Sequence, residues 1–276
     1  MHGFAVVARA ALVALCCAAA PAARAQSCPT AATTSATLAS VGPRLELRLA
    51  DGRLLRLAGI EAAATTPTTP DREARSIAAL AALLDRRPLA VTVLSPKPDR
   101  WGRLAAFASL SDGPVGGLAG VALAAGLARY RPEPAASACR AALLAAEDKA
   151  RQARLGLWSD PAYAVLAADD AKAFAARAGS DVVVEAKLRD VEPGTYRTTL
   201  RLEGAGASTD GRLLDATIAP RVMKVFVAQG VDVKAMVGRT LRLRGLLDRR
   251  FGPRIELAGP DEIEILPETT APVPAN

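Results

Sequence analysis

Between residues 43 and 61 apolar and charged side chains alternate, most plainly at Arg44-Leu45-Glu46-Leu47-Arg48-Leu49. The alternation breaks at Asp51-Gly52 and resumes from Leu54 to Ile60. A period of two interrupted by an Asp-Gly pair predicts a β-hairpin with one buried face. The period then lengthens. Ile77, Leu80 and Leu84 repeat at helical spacing behind Thr69-Pro70 and an acidic first turn carrying Asp71 and Glu73, and Arg86-Arg87-Pro88 ends the helix. Strands are expected at 89–95 and 103–110. Helices are expected at 115–128 and 137–154, the second opened by Ser137 and closed by Gly156.

After Trp158-Ser159-Asp160-Pro161 the pattern changes. An Ala-rich stretch over 161–179 reads as a helical linker, and a β-dominated region fills 180–266. Its strands are expected at 181–190, 195–203, 212–218, 239–247 and 253–257, with a helix from Pro220 to Gln229 between the third and fourth. Five strands with a helix at that place suit a small closed barrel of OB type. The predicted fold class is therefore α+β, mostly β, with two domains joined by the linker. Residues 26–40 form a Thr/Ala/Ser-rich lead without a clear period, and 267–276 read as a disordered tail. No internal sequence repeat is visible.

Composition sharpens this picture in three ways. Of 276 residues 51% are hydrophobic and only 4% aromatic, enough for a substantial core but not for an aromatic-rich binding surface. Residues 1–25 have the form of a secretory signal: Arg9, an apolar run from Ala10 to Ala20, and Ala23-Arg24-Ala25 for cleavage. The mature protein is thus expected in the periplasm or outside the cell, without membrane insertion. Cleavage also removes His2, the only histidine. That excludes Ser-His-Asp and Cys-His nucleophiles, HExxH zinc sites and any histidine general base from the mature chain. Cys16 and Cys17 leave with the signal, so Cys28 and Cys139 remain in an oxidising compartment; a disulfide between them is expected, two free thiols being the alternative.

The formal charge is +7, or +5 once Arg9 and Arg24 leave with the signal, and residues 180–276 are balanced, so the surplus belongs to residues 26–179. Even so, Arg239, Arg242, Arg244, Arg249, Arg250 and Arg254 cluster with only Asp248 opposing them. Arg242 and Arg244 share a strand face, which predicts either a short phosphate-binding stripe or a charged sheet edge guarded against pairing.

Four motifs in order carry a resemblance. They are Leu55-Arg56-Leu57-Ala58-Gly59-Ile60-Glu61, then Asp99-Arg100-Trp101-Gly102-Arg103, then Gly126-Leu127-Ala128-Arg129-Tyr130, then Glu147-Asp148-Lys149-Ala150-Arg151 through Gly156-Leu157-Trp158. Over 41–160 the chain resembles the staphylococcal nuclease (thermonuclease) family. The resemblance implies an OB-like five-stranded barrel with three helices. Residues 180–266 look like an OB domain of the nucleic-acid type appended to secreted relatives, most of all at Gly252-Pro253-Arg254-Ile255-Glu256 and Pro260-Asp261-Glu262-Ile263-Glu264-Ile265.

In that family carboxylates hold Ca²⁺, a glutamate assists the attacking water, and two arginines neutralise charge developing on phosphorus. The resemblance places Arg56 and Arg103 as the two catalytic, phosphate-binding arginines, with Trp101 in place of a tyrosine. Glu61 stands at a metal-binding aspartate. The family run Asp-Ala-Pro-Glu becomes Glu61-Ala62-Ala63-Ala64, so Ala64 occupies the place of the water-assisting glutamate. Where the family has Asp-Gly-Asp-Thr this chain has Pro43-Arg44-Leu45-Glu46. Glu61 is the one acidic ligand left. Glu46 lies one residue from a ligand position, facing the other side of a strand unless a bulge intervenes, and Asp71 and Glu73 lie beyond the loop.

The leading expectation is an exported protein that binds nucleic acid or another polyanion, through Arg56, Arg103, Arg242 and Arg244, and hydrolyses it poorly. No cofactor is expected, or Ca²⁺ if the site is active. A rearranged calcium-dependent nuclease and a periplasmic protein-binding scaffold are the alternatives. Arg56 and Arg103 are equally accounted for as packing residues paired with Glu61. Trp101, Tyr130 and Trp158 are expected to pack.

Overall fold

The computed structural model describes residue 28 and residues 33–84, 87–203, 214–248, 250 and 252–267. The expected signal segment, most of the lead before residue 33, nearly all of the expected tail and Arg249 lie outside the described residues.

The first unit runs β1 (Thr34–Ala36), β2 (Leu38–Val41), β3 (Leu47–Leu49), β4 (Leu54–Leu57), β5 (Ile60–Ala62), α1 (Arg72–Leu84), β6 (Leu89–Val93), β7 (Arg103–Ser109), α2 (Gly117–Ala124), β8 (Ala128–Tyr130) and α3 (Arg140–Gln152). Six strands form a sheet in the order β1-β6-β7-β4-β3-β2, and β5 pairs with β8 as a separate antiparallel ribbon. Only β4 and β7 run parallel within the large sheet. Its two edge strands, β1 and β2, are separated by Thr37 alone, so the sheet curls into a half-barrel. The alternation read from the sequence places Leu47 and Leu55 inside, where Leu80, Leu84, Leu118 and Leu143 from the three helices meet them.

Two motif glycines hold the end of this unit together. Gly126 and Gly156 both have positive φ, at 66° and 52°. A Cβ built on Gly126 would lie 2.3 Å from the Leu155 carbonyl oxygen, and one on Gly156 would lie 2.2 Å from that of Gly126. The two backbones therefore pass where no side chain fits.

The second unit runs β9 (Leu166–Ala167), α4 (Ala171–Arg177), β10 (Asp181–Glu192), β11 (Thr198–Glu203), β12 (Asp215–Ile218), α5 (Pro220–Ala228), β13 (Thr240–Asp248), β14 (Arg254–Leu257) and β15 (Ile263–Ile265). Strands β10-β11-β12-β14-β13 close into a five-stranded barrel through the long β10–β13 pairing, with β12 parallel to β14. The architecture is α+β, and the closed barrel with α5 between its third and fourth strands is compatible with an OB-like barrel. Two details differ from the sequence reading. The 161–179 segment holds α4 but also β9, which adds to β10 in parallel, and β15 adds to β13.

The units meet through a small apolar cluster in which Val183 of β10 packs with Ala63, Ala150, Leu157 and Trp158. Trp158 is buried, as expected. Cys28 and Cys139 are joined, with sulfurs 2.05 Å apart. No described helix is long and apolar enough to cross a membrane.

Candidate functional site

Parallel pairing of β4 with β7 sets Leu54 opposite Arg103 and Arg56 opposite Ala105. Arg56 and Arg103 therefore project from neighbouring strands on one face. Both line a pocket of about 380 Å³, together with Arg44, Glu61, Trp101 and Arg131.

Both arginines already have carboxylate partners. Arg56 grips Glu133 with two parallel hydrogen bonds of 2.8 and 2.7 Å. Arg103, 6% exposed, donates from Nε to Asp99 at 2.8 Å and from Nη1 to Glu46 at 2.7 Å. Desolvation opposes ionisation of Asp99, but hydrogen bonds from the Arg103 side chain and from the Arg103 and Trp101 amides outweigh it and hold its pKa at about 2. Glu46 reaches the pocket side because residues 43–45 turn in a 3-10 kink instead of continuing a strand. Arg44 and Leu45 there have left-handed φ of 56° and 61°. Each such residue costs about 1–2 kcal/mol.

Arg44 and Arg131 differ from this pair. Neither guanidinium takes part in an ion pair among the described residues. Trp101 also departs from expectation: it is 54% exposed at the pocket, not packed away, with Arg100 and Arg103 at 3.9 and 4.6 Å from its ring centroid. Tyr130 is buried as expected, and desolvation raises its hydroxyl pKa to about 12.

Glu61 does not pair with Arg56 or Arg103. Its Oε2 accepts from Nε and Nη2 of Arg129, at 2.9 and 2.7 Å, across the β5–β8 ribbon. Ala64 sits in a loop fastened from the far side: its amide donates to the Tyr163 hydroxyl at 2.8 Å. Further along, the hydroxyls of Thr66, Thr68 and Thr69 all donate to Oδ2 of Asp160, which also takes Nη2 of Arg72 at 2.5 Å. Burial works against the charged Asp160, yet the three threonine hydroxyls and the Ala162 amide hold its pKa far below the usual carboxylate range. Asp71 pairs with Arg75, and Glu73 accepts the Arg44 amide. Among the described residues no group of three or more His, Cys, Asp or Glu side chains is arranged to hold a metal ion.

The basic stripe on the second unit is a correction. Arg242 and Arg244 share a face of β13 as the period requires, but that face is buried against α3, and they are 3% and 4% exposed. Arg242 binds Asp148, Glu185 and Glu264 at 2.9, 2.8 and 3.1 Å. Arg244 binds the fully buried Glu147 at 2.5 Å and Glu264 at 2.7 Å. These two arginines join the units and offer nothing to a phosphate. Of the rest, Arg250 and Arg254 both bind Asp248.

Glu133, Arg131 and Arg129 are the site residues that sequence reasoning missed. The Arg129-Tyr130-Arg131 alternation was the available signal for the two arginines; Glu133 gave none, its partner being 77 residues away. No family model and no curated protein matches the chain.

Proposed function

We propose that the chain is an exported protein of staphylococcal nuclease type that binds nucleic acid or another polyanion and hydrolyses phosphodiesters poorly. In this reading residues 41–160 form the nuclease-like domain and 180–266 an appended OB domain. The observation that carries it is the convergence of Arg44, Arg56, Arg103 and Arg131 on one pocket beside the exposed ring of Trp101. Guanidinium forks match phosphate oxygens, and an exposed aromatic face stacks bases, the combination single-strand binders use.

Impaired hydrolysis follows from the acidic residues. Ala64 can neither take a proton nor orient water, and Glu61 is committed to Arg129. Glu46 and Asp99, the other carboxylates near Arg103, are each engaged by its guanidinium.

The test is a titration of labelled single-stranded DNA at low salt, followed by digestion with Ca²⁺ or with chelator. Salt-sensitive binding weakened by Arg103→Ala, without Ca²⁺-dependent cleavage, is the expected result. Cleavage that needs Ca²⁺ and is lost in Arg103→Ala would establish the rearranged nuclease instead. No binding at low salt, with a stable envelope protein captured, would establish the scaffold.

A further inference from the structure

The guanidinium pocket does not end at the first unit. A second cavity, of about 340 Å³, lies between the units, and Glu61, Arg131 and Pro132 line both. The two spaces thus form one groove that bends over the β8 end of the first unit. Its volume falls within the ~300–1,000 Å³ of ordinary ligand sites.

The chemistry changes along this groove. In the pocket, the guanidinium groups of Arg44 and Arg131 take part in no ion pair among the described residues. Past Arg131 the second unit presents Asp181, Glu256 and Glu262, together with the exposed Leu246 and Ala258. Of the other cations there, Arg129 is bound to Glu61 and, at 3.6 Å, to Asp181, and Arg244 is bound to Glu147 and Glu264. Glu256 and Glu262, which take part in no ion pair among the described residues, repel a phosphate, so this end does not continue a backbone track. A flat ring with exocyclic amine groups fits: its faces meet Leu246, Ala258 and Pro132, and its N–H groups donate to carboxylate oxygens. Carboxylates pair in this way with the N4 amine of cytosine, and an unpaired strand leaves that edge of the base free.

Resting on the polyanion-binding reading, we infer that the inter-unit cleft is a nucleobase site. It takes an amine-bearing base in preference to thymine or uracil, while the adjoining phosphates stay at Arg131 and in the guanidinium pocket. The second unit then supplies base selection, and the first supplies charge.

The test uses the full chain and three labelled ten-residue probes at low salt and pH 7.5: oligo-dC, oligo-dT and an abasic deoxyribose-phosphate chain. Oligo-dC is expected to bind about tenfold more tightly than the other two, as one good carboxylate–base contact provides. Glu256→Ala, at an exposed strand position, is expected to bring the dC-to-dT ratio close to one and to leave abasic binding undiminished. Leu246→Ala, which leaves the acidic groups in place, is expected to weaken oligo-dC against the abasic probe. Equal binding of all three probes, or a ratio unchanged in Glu256→Ala, overturns the base site while the polyanion reading stands. Failure of every probe to bind overturns both.

Discussion

Arg56 and Glu133 face each other as a two-pronged pair, Nη1 and Nη2 each donating to one carboxylate oxygen at 2.8 and 2.7 Å. Glu133 therefore occupies the fork that a phosphate needs. Removing its charge leaves the guanidinium free at the pocket. Glu133→Gln is expected to tighten polyanion binding several-fold and to make the log–log salt slope more negative by roughly one. Anisotropy titrations across a salt series check this, and a weaker complex would contradict it.

Arg244 and Glu147 make the most deeply buried ion pair between the units, at 2.5 Å. Glu147 also accepts the Tyr130 amide at 2.6 Å. Arg244→Met leaves Glu147 charged and without a cation, and is expected to cost about 3–5 kcal/mol in chemical denaturation. Adding Glu147→Met should recover part of that loss, not all, because the Tyr130 N–H then lacks an acceptor. A double variant no more stable than Arg244→Met would mean that the pair is not what holds this face.

Cys28 and Cys139 are 111 residues apart in sequence, and Cys139 is fully buried beside α3. Constraining so long a loop stabilises the fold mainly through the unfolded chain. The Cys28→Ser, Cys139→Ala variant is expected to lose about 2–5 kcal/mol. A reductant should lower the melting temperature of the parent and leave that of the variant unchanged.

Glu262 sits in the inter-unit cleft, where desolvation first, and then the nearby Asp181, raise its pKa to about 6 against the pull of the Ala258 and Gly259 amides and of Arg131. The folded state therefore holds this proton more firmly than the unfolded chain does. Its contribution is fully present below the unfolded value near 4.5 and is lost as pH rises to about 6. Glu262→Gln should flatten that part of the stability profile and be the more stable protein at pH 7. Unfolding series between pH 4 and 7 decide it; parallel profiles for parent and variant would reject the assignment.

Patterning carried most of the fold. The hairpin about Asp51-Gly52 and α1 announce themselves because one face of each is buried and the other is not, and the five barrel strands of the second unit because apolar side chains recur at every second position. What escaped has local causes. The kink at Arg44-Leu45 breaks a run that reads as a strand, because both residues take left-handed backbone. Strands β9 and β15 are two and three residues long and exist through pairing with longer neighbours. Alternation put Arg242 and Arg244 on one face but is silent about what covers it, and the cover is α3. In the site, Arg56 and Arg103 were legible as a pair; of the carboxylates that engage them, Asp99 is four residues from Arg103, whereas Glu46 and Glu133 come from 57 and 77 residues away.

The single residue Thr37 lets one short stretch of chain serve both ends of the first sheet. Each end accordingly exposes only three or four residues of backbone before the chain bends away. At this sheet a neighbouring molecule finds no long row of open amides and carbonyls to extend, which guards these two edges against pairing with copies of themselves.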